Sequence, residues 1–163
     1  MNARLTPEER TAWIRLALVS SSLPAALDAQ LARDSNISHI DYLVLTLLAQ
    51  ADEGTLPMSR LAALSGSSPS RLSHVVTGLE RDGYVTRARA ETDARVIHAT
   101  LTEAGRDVAR GAAPGHIRNI RALVFDRLSA EQVAELSDLM ATILGALDPD
   151  GQLARAATEP SSN

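Results

Sequence analysis

Apolar residues recur at helical spacing along most of the chain. Within residues 69–82 they follow the i, i+3, i+4, i+7 pattern of a helix with one buried side. These residues are Leu72, Val75, Val76 and Leu79. The segment YLVLTLLAQA, residues 42–51, is apolar almost all round, which is typical of a helix at the centre of a core. The pattern therefore predicts a mainly helical protein.

Hydroxyl residues mark the starts of five predicted helices. Each can accept a hydrogen bond from a free backbone N–H of the first helical turn. They are Thr6, Ser38, Ser68, Thr102 and Ser129. The helix after Thr6 is expected to end near residue 33, the helix after Thr102 near residue 125, and the helix after Ser129 near residue 147.

Two prolines fall inside predicted helices. Pro24 removes a backbone donor from the first helix, and we expect a kink or a break over residues 20–23. Pro114, followed by Gly115, should kink or split the helix that begins after Thr102.

Residues 58–82 carry a helix-turn-helix pattern. A short helix, Met58 to Leu64, is ended by Ser65-Gly66, and a second helix starts at once after Ser68-Pro69. The outer side of the second helix is small, polar and cationic, which suits insertion into a DNA major groove. The residues predicted to contact DNA there are Ser68, Ser70, Arg71, Ser73, His74 and Thr77.

A two-stranded ribbon is predicted directly after this pair of helices. Residues 84–89 and 96–101 have strand-like composition, and Asp93 is a plausible turn residue between them. A helix-turn-helix followed by such a ribbon is a winged helix. Arg95 at the tip could enter a minor groove, and Asp93 would orient it or cap the turn. Arg87 is a candidate either for a structural role in the strand or for a phosphate contact.

Charge is distributed unevenly along the chain. The net charge of −4 taken alone argues against nucleic acid, since binding phosphates needs cations. Residues 57–110, however, carry eight arginines against six acidic residues, whereas the rest carries eight against fourteen. Positive charge is therefore concentrated in the predicted winged region.

Several classes of protein are disfavoured by what the sequence does not contain. With no cysteine, disulfides, thiolate metal sites and thiol redox sensing are excluded. The four histidines show no i, i+4 pair, and no phosphate-binding loop or catalytic motif is found, so neither a metal, a cofactor nor an enzyme is expected. No signal peptide or membrane span is predicted, which favours a cytoplasmic protein.

The two ends of the chain are expected to form a separate lobe. Amphipathic helices in residues 1–36 and 103–148 could cover each other or pair with a second copy, and a homodimer is favoured because two winged units read two half-sites. Residues 37–102 would form the winged DNA-binding lobe, and residues 149–163 a disordered tail.

The winged region resembles the MarR (multiple antibiotic resistance regulator) family. SPSRLSHVVTGLERDGYV, residues 68–85, is similar to the family's recognition helix and first wing strand. DARVIHATLTEAG, residues 93–105, resembles its Asp-x-Arg wing tip, second strand and Leu-Thr-x-x-Gly helix start. ISHIDYLVLTLL, residues 37–48, looks like its second helix.

The resemblance implies a mainly α protein with one small β-wing, in which the terminal helices form a dimerisation lobe. It implies recognition helices in successive major grooves of a pseudo-palindromic DNA operator, with Arg95 in the flanking minor groove. It also implies a repressor released by a small aromatic or lipophilic effector bound between the lobes.

Effector-binding candidates are residues with an apolar body and a polar tip. They are Trp13, His39, Tyr42 and His116. The alternative, that they are core or lobe-interface residues with satisfied polar groups, is the favoured interpretation. An alternative function, compatible with the overall acidity, is a winged-helix adaptor that binds other proteins without specific DNA binding.

Overall fold

The computed structural model describes residues 4–90, 93, 95–148 and 151. They form six helices and three short strands. The elements, in chain order, are α1 (Pro7–Ser35), α2 (His39–Gln50), β1 (Thr55–Pro57), α3 (Met58–Leu64), α4 (Pro69–Arg81), β2 (Val85–Arg89), β3 (Ile97–Leu101), α5 (Glu103–Leu123) and α6 (Ala130–Leu147). The predicted tail lies almost wholly outside the described residues.

All five predicted helix starts are confirmed by their hydrogen bonds. The hydroxyl oxygen of each capping residue accepts from the backbone N–H three residues later, which satisfies one donor that the helix itself leaves free. At Thr6, Ser38 and Ser129 the side chain at that later position also accepts from the cap's own N–H, forming a complete capping box.

The wing is part of a three-stranded antiparallel sheet in the order β1-β3-β2. β2 and β3 were predicted within a residue at each end, whereas β1 was missed. Its three residues pair with β3 from Thr55 opposite Thr100 to Pro57 opposite His98. A strand this short has no readable alternation, and Pro57 is tolerated because β1 lies at an edge.

The winged unit comprises α2, β1, α3, α4, β2 and β3, and an aliphatic core holds it together. This core is built on one side of each of α2, α3, α4, β2 and β3, and its central side chains are fully buried. They include Leu45, Leu48, Leu61, Leu72, Val76 and Val85. Because residues of both α4 and β2 belong to this core, the helix and the wing share one base.

α1 packs along α5, and a second cluster of buried residues, Leu31, Ile37 and Ala112, joins them to α2. The alternatives of a break at Pro24 or a split at Pro114 were wrong, since both helices continue through their prolines. Both prolines are exposed, so water can satisfy the carbonyls that lose a donor.

The N-terminal half of α1 and the whole of α6 leave large apolar side chains exposed. No residue of α6 is buried, and Leu139 is 61% exposed. On α1, Trp13 is 60% exposed and Leu18 equally so. Within the described part of the chain, no helix has the length and apolar character needed to cross a membrane.

Candidate nucleic-acid interface

α4 presents one exposed polar side on the surface of the winged unit. Ser68 caps it and Pro69 occupies its first turn, so the backbone is fixed where the helix begins. Leu72, Val76 and Leu79 bury the opposite side in the core. The six residues predicted to contact DNA are all exposed: Ser68, Ser70, Arg71, Ser73, His74 and Thr77.

Local hydrogen bonds already occupy part of this surface. The Thr77 hydroxyl donates to the Ser73 carbonyl at 2.8 Å, within the helix. Arg81, at the end of α4, forms an exposed ion pair with Asp82 through bonds of 2.9 and 3.2 Å. Arg71 thus supplies a cation near the start of the helix, while the cation at its end is paired.

The described part of the wing tip centres on Asp93 and Arg95. The Asp93 carboxylate accepts the Arg95 backbone N–H at 3.0 Å and its guanidinium through Nε and Nη2, both at 3.1 Å. The predicted contact of Asp93 with Arg95 is therefore confirmed. Hydrogen bonds from Arg95 lower the pKa of Asp93. The Arg95 side chain is 91% exposed, so it projects from the wing.

Arg87 makes a contact that the sequence did not reveal. Its guanidinium donates to Glu80 Oε2 from Nε at 2.9 Å and from Nη2 at 2.5 Å, and its backbone N–H donates to Oε1 at 3.2 Å. The hydrogen bonds from Arg87 hold the pKa of Glu80 below its ordinary value. The two residues lie seven positions apart on a helix and a strand, a spacing that carries no local pattern.

Thr102 ties the far end of the wing to the end of α4. Its hydroxyl donates to the Gly83 carbonyl at 2.8 Å, and its N–H donates to the Tyr84 carbonyl at 3.0 Å. Three residues later, Gly105 lets α5 pass close to Tyr84, because a Cβ there would overlap the Tyr84 carbonyl oxygen. The Leu-Thr-x-x-Gly motif thus closes the winged unit.

Three of the four effector candidates come together where α2 meets α5. The His116 ring lies 4.5 Å from the Tyr42 ring and 5.6 Å from the His39 ring, between centroids. Trp13 is not among them. The α1 residue beside Gly115, and so next to His116, is Gln30, and Trp13 precedes it by seventeen residues, roughly 25 Å along the helix.

Two polar residues that the sequence did not single out lie near His116: Gln30 Nε2 is 3.2 Å from the position that a Cβ on Gly115 would occupy, and Asn119 follows His116 by three residues on α5. Gln30 Oε1, Asn119 Nδ2 and the Nδ1 atoms of His39 and His116 are buried without a hydrogen-bond partner in the described part of the chain. Such atoms are rarely left unsatisfied in proteins, which makes the cluster a candidate ligand site.

Comparison with known proteins agrees with this geometry. A family model described as "Transcriptional regulator SarA/Rot" matches residues 27–111. Sco3205, a MarR family transcriptional regulator from Streptomyces coelicolor solved in complex with DNA, is 38% identical. The match covers 88% of this chain and 94% of Sco3205, with a TM-score of 0.84. The chain belongs to the MarR family of transcriptional regulators.

Two further relatives of this MarR-family chain are a repressor and a protein solved with a ligand bound. YetL from Bacillus subtilis, an HTH-type transcriptional repressor, is 31% identical over 111 residues, which cover 68% of this chain and 64% of YetL. CouR from Rhodococcus jostii, solved with p-coumaroyl-CoA bound, is 25% identical, with a TM-score of 0.68 over 78% of this chain and 87% of CouR. The fold and family are those of regulators, not enzymes.

Burial sets the protonation of the ring cluster in this MarR-family protein. It lowers the pKa of His39, against an opposing effect of Asp28, and it lowers the pKa of His116, which His39 lowers further. Burial also raises the pKa of Tyr42. All three rings therefore favour their neutral forms. Among the described residues no group of three or more His, Asp or Glu side chains is arranged to hold a metal ion.

Proposed function

We propose that this protein is a sequence-specific DNA-binding repressor that acts as a homodimer on a pseudo-palindromic operator in the cytoplasm. The observation that carries the proposal is the pairing of an exposed polar helix face on α4 with an exposed arginine, Arg95, at the wing tip of the same rigid unit. Sco3205, the similar protein solved on DNA, supports it.

In this proposal α4 enters the major groove. Small side chains at Ser70, Ser73 and Thr77 let the helix approach the base edges, and Arg71 and His74 supply longer donors. The start of α4, capped by Ser68, would lie near a phosphate, because the helix dipole favours negative charge there.

Arg95 enters the adjacent minor groove. An extended cation is favoured there because negative potential is concentrated in a narrow groove. Asp93 holds the guanidinium by two hydrogen bonds before DNA arrives, which reduces the conformational freedom lost on binding.

Dimerisation follows from the apolar surface that the single chain leaves uncovered. Exposed large apolar side chains occur along α1 and α6: Trp13, Ile14, Leu18 and Val19, and Leu139, Met140, Ile143 and Leu147. Monomeric proteins rarely leave rows of large apolar side chains exposed, and pairing of these helices with a second copy would bury them. Residues 1–36 and 103–148 would then form the dimerisation lobe, and residues 37–102 the DNA-binding lobe.

Repression would be relieved by a small aromatic or lipophilic effector bound at the ring cluster. Tyr42 and His116 offer a stacking surface, and Gln30 and Asn119 offer unsatisfied polar atoms. The cluster joins α5 of the dimerisation lobe to α2 of the winged lobe, so an occupant that changes their separation changes the spacing of the two α4 helices. CouR with its bound p-coumaroyl-CoA and the repressor YetL support this part.

The test is to pass sheared genomic DNA over the immobilised protein and to sequence the retained fragments. A shared inverted repeat, competed by its own duplex and not by a scrambled one, is the expected result. Fragments without a common motif, or no retention even at low salt, would contradict the proposal and favour the alternative of a protein-binding adaptor.

A further inference from the structure

Glu80 and Arg87 connect α4 to β2, the two elements that would face DNA. This contact is additional to the short segment, residues 82–84, that links them along the chain. Glu80 lies in the last turn of α4, and Arg87 lies in the middle of β2. Three hydrogen bonds connect them, one to the backbone and two to the guanidinium. A single carboxylate therefore fixes both the strand and the side chain it carries.

The backbone bond is made by the open edge of the wing. β2 is an edge strand, and the bonds from Ala90 N to Val96 O and from Thr102 N to Tyr84 O show that its even-numbered residues face β3. The N–H of Arg87 accordingly points away from β3, toward α4. Glu80 thus accepts a donor for which the sheet has no partner.

The pair is also more sheltered than the other ion pairs nearby. The Arg87 and Glu80 side chains are 28% and 37% exposed, against 77% and 44% for Arg81 and Asp82 on the same helix end. Ion pairs that are sheltered from water and joined by several hydrogen bonds hold their geometry better than exposed pairs with a single contact, because water competes less for their polar atoms.

We propose that Glu80 is a positioning residue that sets the angle between α4 and the wing, so that α4 and Arg95 engage one DNA site together. The inference rests on the proposed function. It gives Arg87 a positioning role in place of the phosphate contact predicted from sequence, because its guanidinium is engaged by Glu80 on the α4 side. The wing's contribution to the affinity for DNA then depends on Glu80, a residue that does not itself contact DNA.

A double-mutant cycle on DNA tests the coupling. The probe is the duplex carrying the motif recovered from the retained genomic fragments. Arg95→Ala should weaken binding by about tenfold in the natural chain and by less than about threefold in a Glu80→Ala or Glu80→Gln background. Glu80→Gln keeps one acceptor oxygen and serves if Glu80→Ala does not fold. Asp82→Asn, which breaks the exposed neighbouring pair with the same change in charge, should leave the tenfold effect intact.

Hydrogen exchange in the free protein tests the geometry without DNA. The Arg87 amide should exchange at least about tenfold faster in Glu80→Ala, whereas the Ala90 amide, bonded across the sheet to Val96, should be unchanged. Equal exchange at Arg87, or an Arg95→Ala effect as large in the Glu80 variants as in the natural chain, would overturn the inference while leaving DNA binding in place. A natural chain that binds no DNA would overturn the proposed function, and the inference with it.

Discussion

At the scale of single residues, two carboxylates hold arginines of the wing: Asp93 accepts hydrogen bonds from Arg95, and Glu80 accepts them from Arg87. The bond between Asp93 and Arg95 was foreseen because two residues along a turn must lie close together. The bond between Glu80 and Arg87 was not, because it depends on how β2 folds back beside α4. Local contacts follow from spacing, whereas contacts between elements require the packing of the core.

Gly105 is the glycine at which packing leaves least room for a side chain. A Cβ there would overlap the Tyr84 carbonyl oxygen and lie 2.8 Å from Leu101 Cδ1. Gly105→Ala should therefore lower the free energy of unfolding by about 3 kcal/mol, at the upper end for overpacking. Gly111→Ala in the same helix meets nothing within 4 Å and should instead raise it by about 0.5 to 1 kcal/mol. Urea denaturation measures both, and equal effects would contradict the close approach.

Arg95 should contribute one ionic contact to DNA. Replacing it by alanine is expected to weaken binding and to reduce the slope of log affinity against log salt by about one. Arg110→Ala is the control, since Arg110 is an exposed arginine on α5, paired with Asp107, and is not among the residues predicted to contact DNA. Fluorescence anisotropy titrations at several salt concentrations give both slopes. An unchanged slope for Arg95→Ala would remove Arg95 from the interface.

At the scale of elements, helix starts were the most predictable feature and the effects of proline the least. A cap is decided by one side chain and its own helix, so the sequence contains all that is needed. Whether Pro24 or Pro114 breaks a helix depends on the packing around that helix. α1 and α5 pack against each other, and both continue past their prolines. β1 could be formed only because β3 offers it an edge.

The contact of α2 with α5 should make stability depend on pH. His39 and His116 both have a pKa below the ordinary 6.5 in the folded protein. The unfolded chain takes up protons near 6.5 while the folded chain stays neutral, so the free energy of unfolding should fall as pH is lowered through this range.

Replacing His116 by phenylalanine keeps a ring at this position but removes one titrating group. Thermal denaturation between about pH 7.5 and about pH 5 should then show a weaker loss of stability than in the natural chain. His74→Gln, at an exposed position on α4, should follow the natural chain. If His116→Phe loses stability as steeply as the natural chain does, His116 is not neutral in the fold.

At the scale of the whole molecule, the composition of the chain was the poorest guide. The net charge of −4 argued against DNA, yet residues 57–110 carry more arginines than acidic residues, eight against six, and the excess of acidic residues lies in the rest of the chain. The sequence predicted the apolar stripe of α6 but could not say whether it is covered within the chain. The structure shows that α6 has no buried residue, which leaves a second copy as the proposed partner.

Charged residues on α6 should separate the dimer. Leu139→Glu combined with Ile143→Glu places two carboxylates on the exposed apolar stripe, where pairing would have to bury them at a high cost in desolvation. Sedimentation equilibrium should then give the mass of one chain, against two for the natural protein. Ala134→Glu, on the opposite side of α6, should leave the mass at two chains. A natural protein that sediments as a monomer would contradict the proposed assembly.

Chemical footprinting on the recovered operator tests the central claim most directly. Dimethyl sulfate should show two protected groups of major-groove guanines centred about 10 base pairs apart, one for each α4. Hydroxyl radicals should show protection of the flanking minor grooves that is lost in Arg95→Ala. A single protected group, or protection confined to the minor groove, would contradict a two-fold dimer that reads DNA through α4.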